Sequence, residues 1–257
     1  VGSREKPIPP LNVVADMGGG AMSMALGILA GVYEARNSGE GQVVDISMTE
    51  GSAYLALGIY GMAAVGDYNH ERESNFLDGG AHFYRCYETS DEKFVSIASI
   101  EAKFYAILLD KLGLAGDNTL PPQMDTAHWP AMSEKFAAIF KTKTRDEWCE
   151  IMEGTDICFA PVLTFNEAPD HPHNKARGTF VDVEGVPQPN PAPRFSRTPG
   201  SVKGAAPDYG ADTRSGLVEW GFAEADVADS TFAGGCTAHQ PRALFDGLLH
   251  TSPGPVC

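Results

Sequence analysis

Asp16 precedes Gly18, Gly19 and Gly20 by one methionine in NVVADMGGGAMSMALGILAG, residues 12–31, and the residues after the glycines are apolar and helix-compatible. A carboxylate at a helix start is stabilised by free backbone N–H groups and by the positive end of the helix dipole. One reading therefore makes Asp16 an N-cap or near-cap. Capping requires no glycine, and each helical Gly costs about 0.5–1 kcal/mol relative to Ala. Three in succession imply that something lies directly on the backbone. A glycine-lined helix start presents N–H donors to an anion or a developing oxyanion. The second reading makes Asp16 a base or nucleophile beside such a site. Both readings stand at this point.

The elements that must position these residues follow from pattern. KPIPPLN at 5–11 predicts an extended approach, because each Pro biases its predecessor away from the helix. Ala21, Met24, Ala25, Ile28, Leu29 and Val32 recur at three- and four-residue steps, which predicts a helix ended by the turn residues of NSGEGQ at 37–42. VVDISM at 43–48 reads as a buried strand. Asp45 within it is a structural hydrogen-bonding acid or, alternatively, a catalytic one. Residues 49–65 predict a second apolar helix. Its Gly51, Ala53, Ala56, Gly58 and Gly61 admit the close approach of another backbone, from a partner chain or from its own core.

A polar stretch at 66–75 separates this region from a different texture. AHFYRCYETS (81–90) and KFVSIAS (93–99) predict a β-hairpin. Helices follow at 101–113, 130–141 and 145–153, the last opened by the capping box Thr144-x-x-Glu147. ICFAPV at 157–162 reads as a strand, which completes a small α+β module. From 169 to 207 the proline content predicts a long extended crossing segment with no packed element. Residues 211–229 regain helical texture, with Gly221 as a stop, and RALFDGLL is the one element read in the last stretch.

Composition narrows the chemistry. With 257 residues, 43% of them hydrophobic, the chain can bury one sizeable core or two modest ones. A net charge of −15 repels phosphate backbones, so nucleic acid is not an expected partner. No run of eighteen apolar residues is free of polar breaks, so no membrane span is expected. No basic segment precedes an apolar one at the N-terminus, so no secretory signal is visible. Five Cys form no C-x-x-C pair and no zinc spacing, as expected of reduced thiols in an intracellular protein without a metal site. His171 and His173 lack a Cys, Asp or Glu at a metal-ligand spacing, and His70, His128, His239 and His250 read as surface or loop residues. Met17, Met22, Met24, Met48 and Met62 are numerous for one region; soft thioethers either fill a core or line a site for varied acyl chains.

Four stretches carry a resemblance. PPLNVVADMGGGAMSMALGILAGVYEARNSGEGQVVDISMTEGSAYL, NFLDGGAHFYRCYETSDEKFVSIASIEAKFYAILLDKLGL, DEWCEIMEGTDICFAPVLTF, and HPHNKARGTFV with PAPRFSRTP resemble, in order and spacing, the α-methylacyl-CoA racemases of the family III CoA-transferase superfamily. The resemblance covers about residues 9–222, and the tail beyond about 230 does not share it. It implies an α/β fold: an incomplete Rossmann-like main domain and a small α+β domain, in an interlaced dimer. On that basis residues 1–48 are the C-terminal part of the main CoA-binding domain, and 49–75 a helix and linker. Residues 76–162 are the small domain, 163–210 a proline-rich return linker, and 211–257 a segment returning to the main domain.

The implied reaction is inversion at the carbon next to a CoA thioester, an isomerase activity. A base removes the α-proton from one face, giving an enolate, and an acid returns a proton on the other. The acid before the glycine run, one member of the pair, matches Asp16. Glu101, in SIEAKFY, matches a glutamate that supports the partner histidine. The implied acyl-CoA contacts are Gly18, Gly19, Gly20, Met48 and Ile100. CoA belongs to the substrate, so no separate cofactor is expected, and the expected partners are an acyl-CoA thioester and a second or full-length homologous subunit.

The partner histidine belongs to a Gly-His-Asp-x-x-Tyr motif, which the sequence does not contain; its place falls upstream of Val1. The chain by itself is therefore expected to racemise weakly or not at all and to bind CoA poorly. His82 stands where relatives of GGAPFY have proline and is read as incidental. Two alternatives remain: a CoA-transferase with Asp16 as nucleophile, and a non-catalytic truncated dimer partner. The compartment implied is the cytoplasm for a bacterial source, and the peroxisome or mitochondrion for a eukaryotic one.

Overall fold

A computed structural model describes residues 2–229; the proposed RALFDGLL element lies outside the described residues. The chain divides after Leu163 into two compact units.

The first unit opens with a helical run. Residues Val13–Met22 are π-helical and continue directly into α1, Ser23–Ser38. The wider register is visible in the bond from Met17 N–H to the Asn12 carbonyl, five residues back. α1 ends as expected, with Gly39 in the left-handed conformation at φ 81°. α2 (Met48–Leu55) and α3 (Leu57–Ala64) replace the single helix expected at 49–65. Ser47 caps α2 through its side chain, which accepts from Glu50 N–H.

The segment between α1 and α2 corrects the strand reading. Residues 43–47 belong to no strand, and Val43 is 95% exposed. Val44 and Ile46 lie against Gly27 and Gly31 of α1, where a Cβ at Gly27 would stand 3.0 Å from Ile46 Cδ1 and 3.1 Å from Val44 Cγ1. Alternation therefore operates, with two side chains toward the helix, but no described backbone pairs with the segment. Asp45 is accordingly exposed and not buried.

From Asn75 onward the unit has a conventional core. β1 (Tyr84–Glu88), β2 (Phe94–Ala98) and β3 (Phe159–Val162) form an antiparallel sheet in that order. Tyr84 pairs with Ala98 and Glu88 with Phe94 around the 89–93 turn, while Val95 faces Pro161 on β3. α4 (Ala102–Lys111), α5 (Trp129–Phe140) and α6 (Arg145–Met152) occur near the expected positions. The Thr144–Glu147 capping box is complete at α6.

Burial explains the arrangement. Val95 and Ile97 alternate inward along β2 into the same buried cluster as Phe136 and Phe140, which lie four apart on α5. Tyr87 stacks on Phe140 at 4.9 Å, and Phe83 meets Trp129 edge-on at 5.7 Å. Burying each such aromatic is worth about 1.5–3 kcal/mol.

The second unit, from Thr164, contains elements that the proline content concealed. α7 (Pro172–Arg177) starts at a proline in the first turn and ends on Gly178 at φ 55°. β4 (Phe180–Val183) and β5 (Val186–Pro189) form a hairpin closed by Glu184 and Gly185, both at positive φ. Val183 pairs with Val186 next to this two-residue turn, so hydrogen-bonded and non-hydrogen-bonded pairs alternate outward from it. Pro187 and Pro189 fall opposite Asp182 and Phe180, where the ladder asks for no donor. The ladder resumes beyond them, with Asn190 N–H donating to the Thr179 carbonyl at 2.8 Å. α8 (Thr213–Glu219) and α9 (Glu224–Asp229) flank Gly221, the expected stop, at φ 94°.

Candidate active site

Asp16 lies within the first turn of the helical run, not ahead of it. The N-cap is Asn12, so the capping reading fails at the cap itself. The helix dipole still favours an acid in the first turn. Asp16 is exposed, and among the described residues its carboxylate has no hydrogen-bond or ion-pair partner.

The glycines find their occupant inside the chain. A Cβ at Gly19 would stand 2.6 Å from Ser52 Oγ and 2.7 Å from Ser52 N, and one at Gly20 3.0 Å from Met48 Cγ. A Cβ at Gly51 would fall onto the Gly19 carbonyl oxygen. Gly19 and Gly51 thus let the π-helical run and α2 touch backbone to backbone. Something does lie on the glycine backbone, and it is α2. The glycines also sit inside the helical run and not at its start, so the free donors belong to the residues around Val13. Gly51 serves this internal contact, whereas Gly58 and Gly61 face open space. The 51–52 pair opposite a glycine run was the available sequence signal. Gly27 and Gly31, four apart, were the equivalent signal for the seat of Val44 and Ile46.

The structure therefore brings Gly19, Gly20 and Met48 together beside Asp16. Ile100 and Glu101 lie in the α+β module. Glu101 is the N-cap of α4, with φ −70° and ψ 138°; its carbonyl accepts from Phe104 N–H at 2.9 Å and Tyr105 N–H at 3.0 Å. Its exposed side chain makes no capping bond. Ile100 is half-buried against the module core. Among the described residues, no hydrogen bond or ion pair joins the Asp16 group to the Ile100–Glu101 pair.

His82 is not incidental to the structure. It is 1% exposed, with Nε2 2.8 Å from Tyr105 Oη and its ring edge-on to Phe83, Tyr105 and Phe136. Burial holds its pKa down at about 4, so the ring is neutral at pH 7. Burial also raises the Tyr105 hydroxyl to about 12. Cys149 and Cys158 are poor nucleophiles. Burial, then Glu153 and Asp146, push Cys149 up to about 11; burial, then Glu101 and Asp156, push Cys158 up. Among the described residues no group of His, Cys, Asp and Glu is arranged to hold a metal ion. Two clefts of about 490 and 510 Å³ share Arg4, Glu73, Gly80 and Pro130, and neither contains Asp16 or Glu101.

Residues 2–213 match the family described as CoA-transferase family III. The chain belongs to CoA-transferase family III. Among family III relatives, the α-methylacyl-CoA racemase of Mus musculus is 47% identical over 228 residues, 88% of this chain and 59% of the mouse protein. The Homo sapiens α-methylacyl-CoA racemase is 42% identical over the same shares. The chain thus spans about 59% of the length of these relatives. Its fold resembles that of a CAIB/BAIF family protein from Brucella suis, with a TM-score of 0.65, 19% identity, and 85% and 58% of the two chains covered. The mixed helices and small sheets described above are those of the family III fold. The helix Val13–Ser38 is long and apolar enough to cross a bilayer by length and composition alone, with a mean hydropathy of 1.5 over an 18-residue window. Its glycine positions are already occupied by α2, Val44 and Ile46.

Proposed function

We propose that this chain carries one face of a two-face proton transfer at the α-carbon of a 2-methylacyl-CoA thioester. The observation that carries this reading is the Asp16 carboxylate, exposed and without a partner among the described residues, next to the glycine crossing in a family III chain. The names of the mouse and human relatives support the substrate class.

Asp16 takes the α-proton as the C–H electron pair moves into the thioester, giving an enolate; the proton then returns to carbon. A racemase needs a second acid on the opposite face. Asp16 removes and returns the proton on its own side. It is therefore expected to exchange the α-proton of one enantiomer with retained configuration. Glu101 supports the opposite-face acid, and Gly18, Met48 and Ile100 contact the acyl-CoA, whereas Gly19 and Gly20 are buried under α2 and shape the site from beneath.

The test follows deuterium uptake from heavy water into each enantiomer of a 2-methylacyl-CoA, with Asp16→Asn as the comparison. Uptake into one enantiomer, lost in Asp16→Asn by at least about 100-fold, is the expected outcome. Uptake no faster than in buffer, or unchanged by the substitution, ends the proposal. An acyl adduct on Asp16 seen by mass spectrometry would assign the residue to transferase chemistry instead.

A further inference from the structure

Gln123 lies in the Pro-Pro-Gln-Met-Asp segment between α4 and α5, and its side-chain amide reaches back to the end of β2. Nε2 donates to the Ser99 carbonyl at 2.9 Å and to the Ile100 carbonyl at 2.9 Å. Both hydrogens of one amide are thus spent on consecutive carbonyls immediately before Glu101. Gln123 is itself anchored, because its carbonyl accepts from the indole N–H of buried Trp129 at 2.8 Å. The 122–125 turn is closed by Asp125 N–H on the Pro122 carbonyl at 3.0 Å.

The receiving backbone is tied from its other side. Ser99 N–H donates to the Phe83 carbonyl at 2.9 Å, and the Ser99 hydroxyl donates to the Ile157 carbonyl. Glu101 then enters α4 through its own carbonyl. Among the described residues its side chain has no hydrogen-bond or ion-pair partner, so what is fixed is the backbone that carries it.

We infer that Gln123 is a positioning residue: its amide clamps the Ser99–Ile100 turn so that the backbone carrying Ile100 and Glu101 is held in one place. The inference rests on the proposed roles of Glu101 and Ile100. A hydrogen-bonded clamp is a reasonable carrier of such an effect, since a displacement of about 1 Å at a reacting group can cost about 100-fold in rate.

The test uses the full chain carrying ¹³C at the glutamate carboxyl carbons, with the Glu101 signal assigned by its loss in Glu101→Gln. Gln123→Met keeps the side-chain length and removes both donors. The expected result is that the Glu101 signal moves toward that of an unstructured glutamate while the other glutamate signals stay. The Phe104 and Tyr105 amides, bonded to the Glu101 carbonyl, are expected to exchange with solvent at least about tenfold faster. A stationary Glu101 signal overturns the inference, whatever the chain's catalytic rate.

Deuterium uptake by the thioester supplies the second arm. Because Ile100 on the clamped turn is the proposed acyl-CoA contact, Gln123→Met is expected to raise the thioester concentration giving half-maximal uptake about tenfold in the parent and not at all in Ile100→Ala. Equal rises in both backgrounds make Gln123 merely structural and overturn the inference. If Ile100→Ala alone leaves uptake unchanged while Gln123→Met still moves the carboxyl signal, the clamp stands and the proposed role of Ile100 falls.

Discussion

Phe136 and Leu29 are both large apolar residues on helices of the same compact unit, yet Phe136 is fully buried and Leu29 is 69% exposed. The contrast extends to their surroundings. The α+β module hides aromatic and aliphatic side chains from β1, β2, α4, α5 and α6 in one cluster. In the helical region, Leu26, Ile28, Tyr33, Tyr54 and Leu57 are exposed, and the residues buried in the π-helical run are Gly19 and Gly20. The module is held by side chains; the helical region is held where backbones meet. Equal hydrophobicity in sequence therefore does not produce equal stabilisation, because the described residues leave Leu26, Ile28 and Leu29 of α1 exposed.

The sharpest way to break this comparison is to cut a side chain in each region. Phe136→Ala is expected to cost about 3–5 kcal/mol, the range for a buried aromatic. Leu29→Ala should stay within about 0.5 kcal/mol. Urea unfolding followed by tryptophan fluorescence measures both, and equal losses would erase the distinction.

Acid probes the module from within. His82 binds its proton at a pKa of about 4 when folded and at about 6.5 when unfolded. The unfolded state therefore takes up the extra proton between these values, and stability falls as pH drops through that window. The loss approaches about 3 kcal/mol at its lower end, from about 1.4 kcal/mol per pKa unit. His82→Phe should remove that part of the pH dependence from thermal melts taken between pH 4 and 7. A melt equally acid-sensitive without His82 would place the weakness elsewhere.

The smallest effect tests the backbone contact. Gly51→Ala sets a methyl group against the Gly19 carbonyl and is expected to destabilise by about 1–3 kcal/mol. Gly58→Ala meets open space and should stabilise α3 by about 0.5–1 kcal/mol. Circular dichroism melts with limited proteolysis of residues 13–64 would resolve the two. Similar behaviour of both variants would show that the crossing does not hold the helices.

What the sequence made legible was local. The Thr144–Glu147 box, the β1–β2 hairpin and the Gly39 stop depend on neighbours within a few residues, and each stands where its pattern placed it. Glu101 at the opening of α4 was legible for the same reason. The glycine run was not, because Gly51 and Ser52, which explain it, lie some thirty residues away. VVDISM had strand composition, but composition does not supply a pairing partner. Asp16 was misplaced by one turn because the π-helical run begins at Val13, ahead of the glycines that seemed to announce it. His82 looked incidental since a lone histidine between alanine and phenylalanine carries no sign of whether packing will enclose it.

The two prolines of β5 have an effect beyond allowing the hairpin to form. At positions that do not bond across to β4, the peptide groups of β5 point away from it, and there Pro187 and Pro189 have no hydrogen to offer. The outer rim of this two-stranded ribbon is therefore a poor template for a third strand. That guards a short, exposed sheet margin against the intermolecular stitching that leads to aggregation.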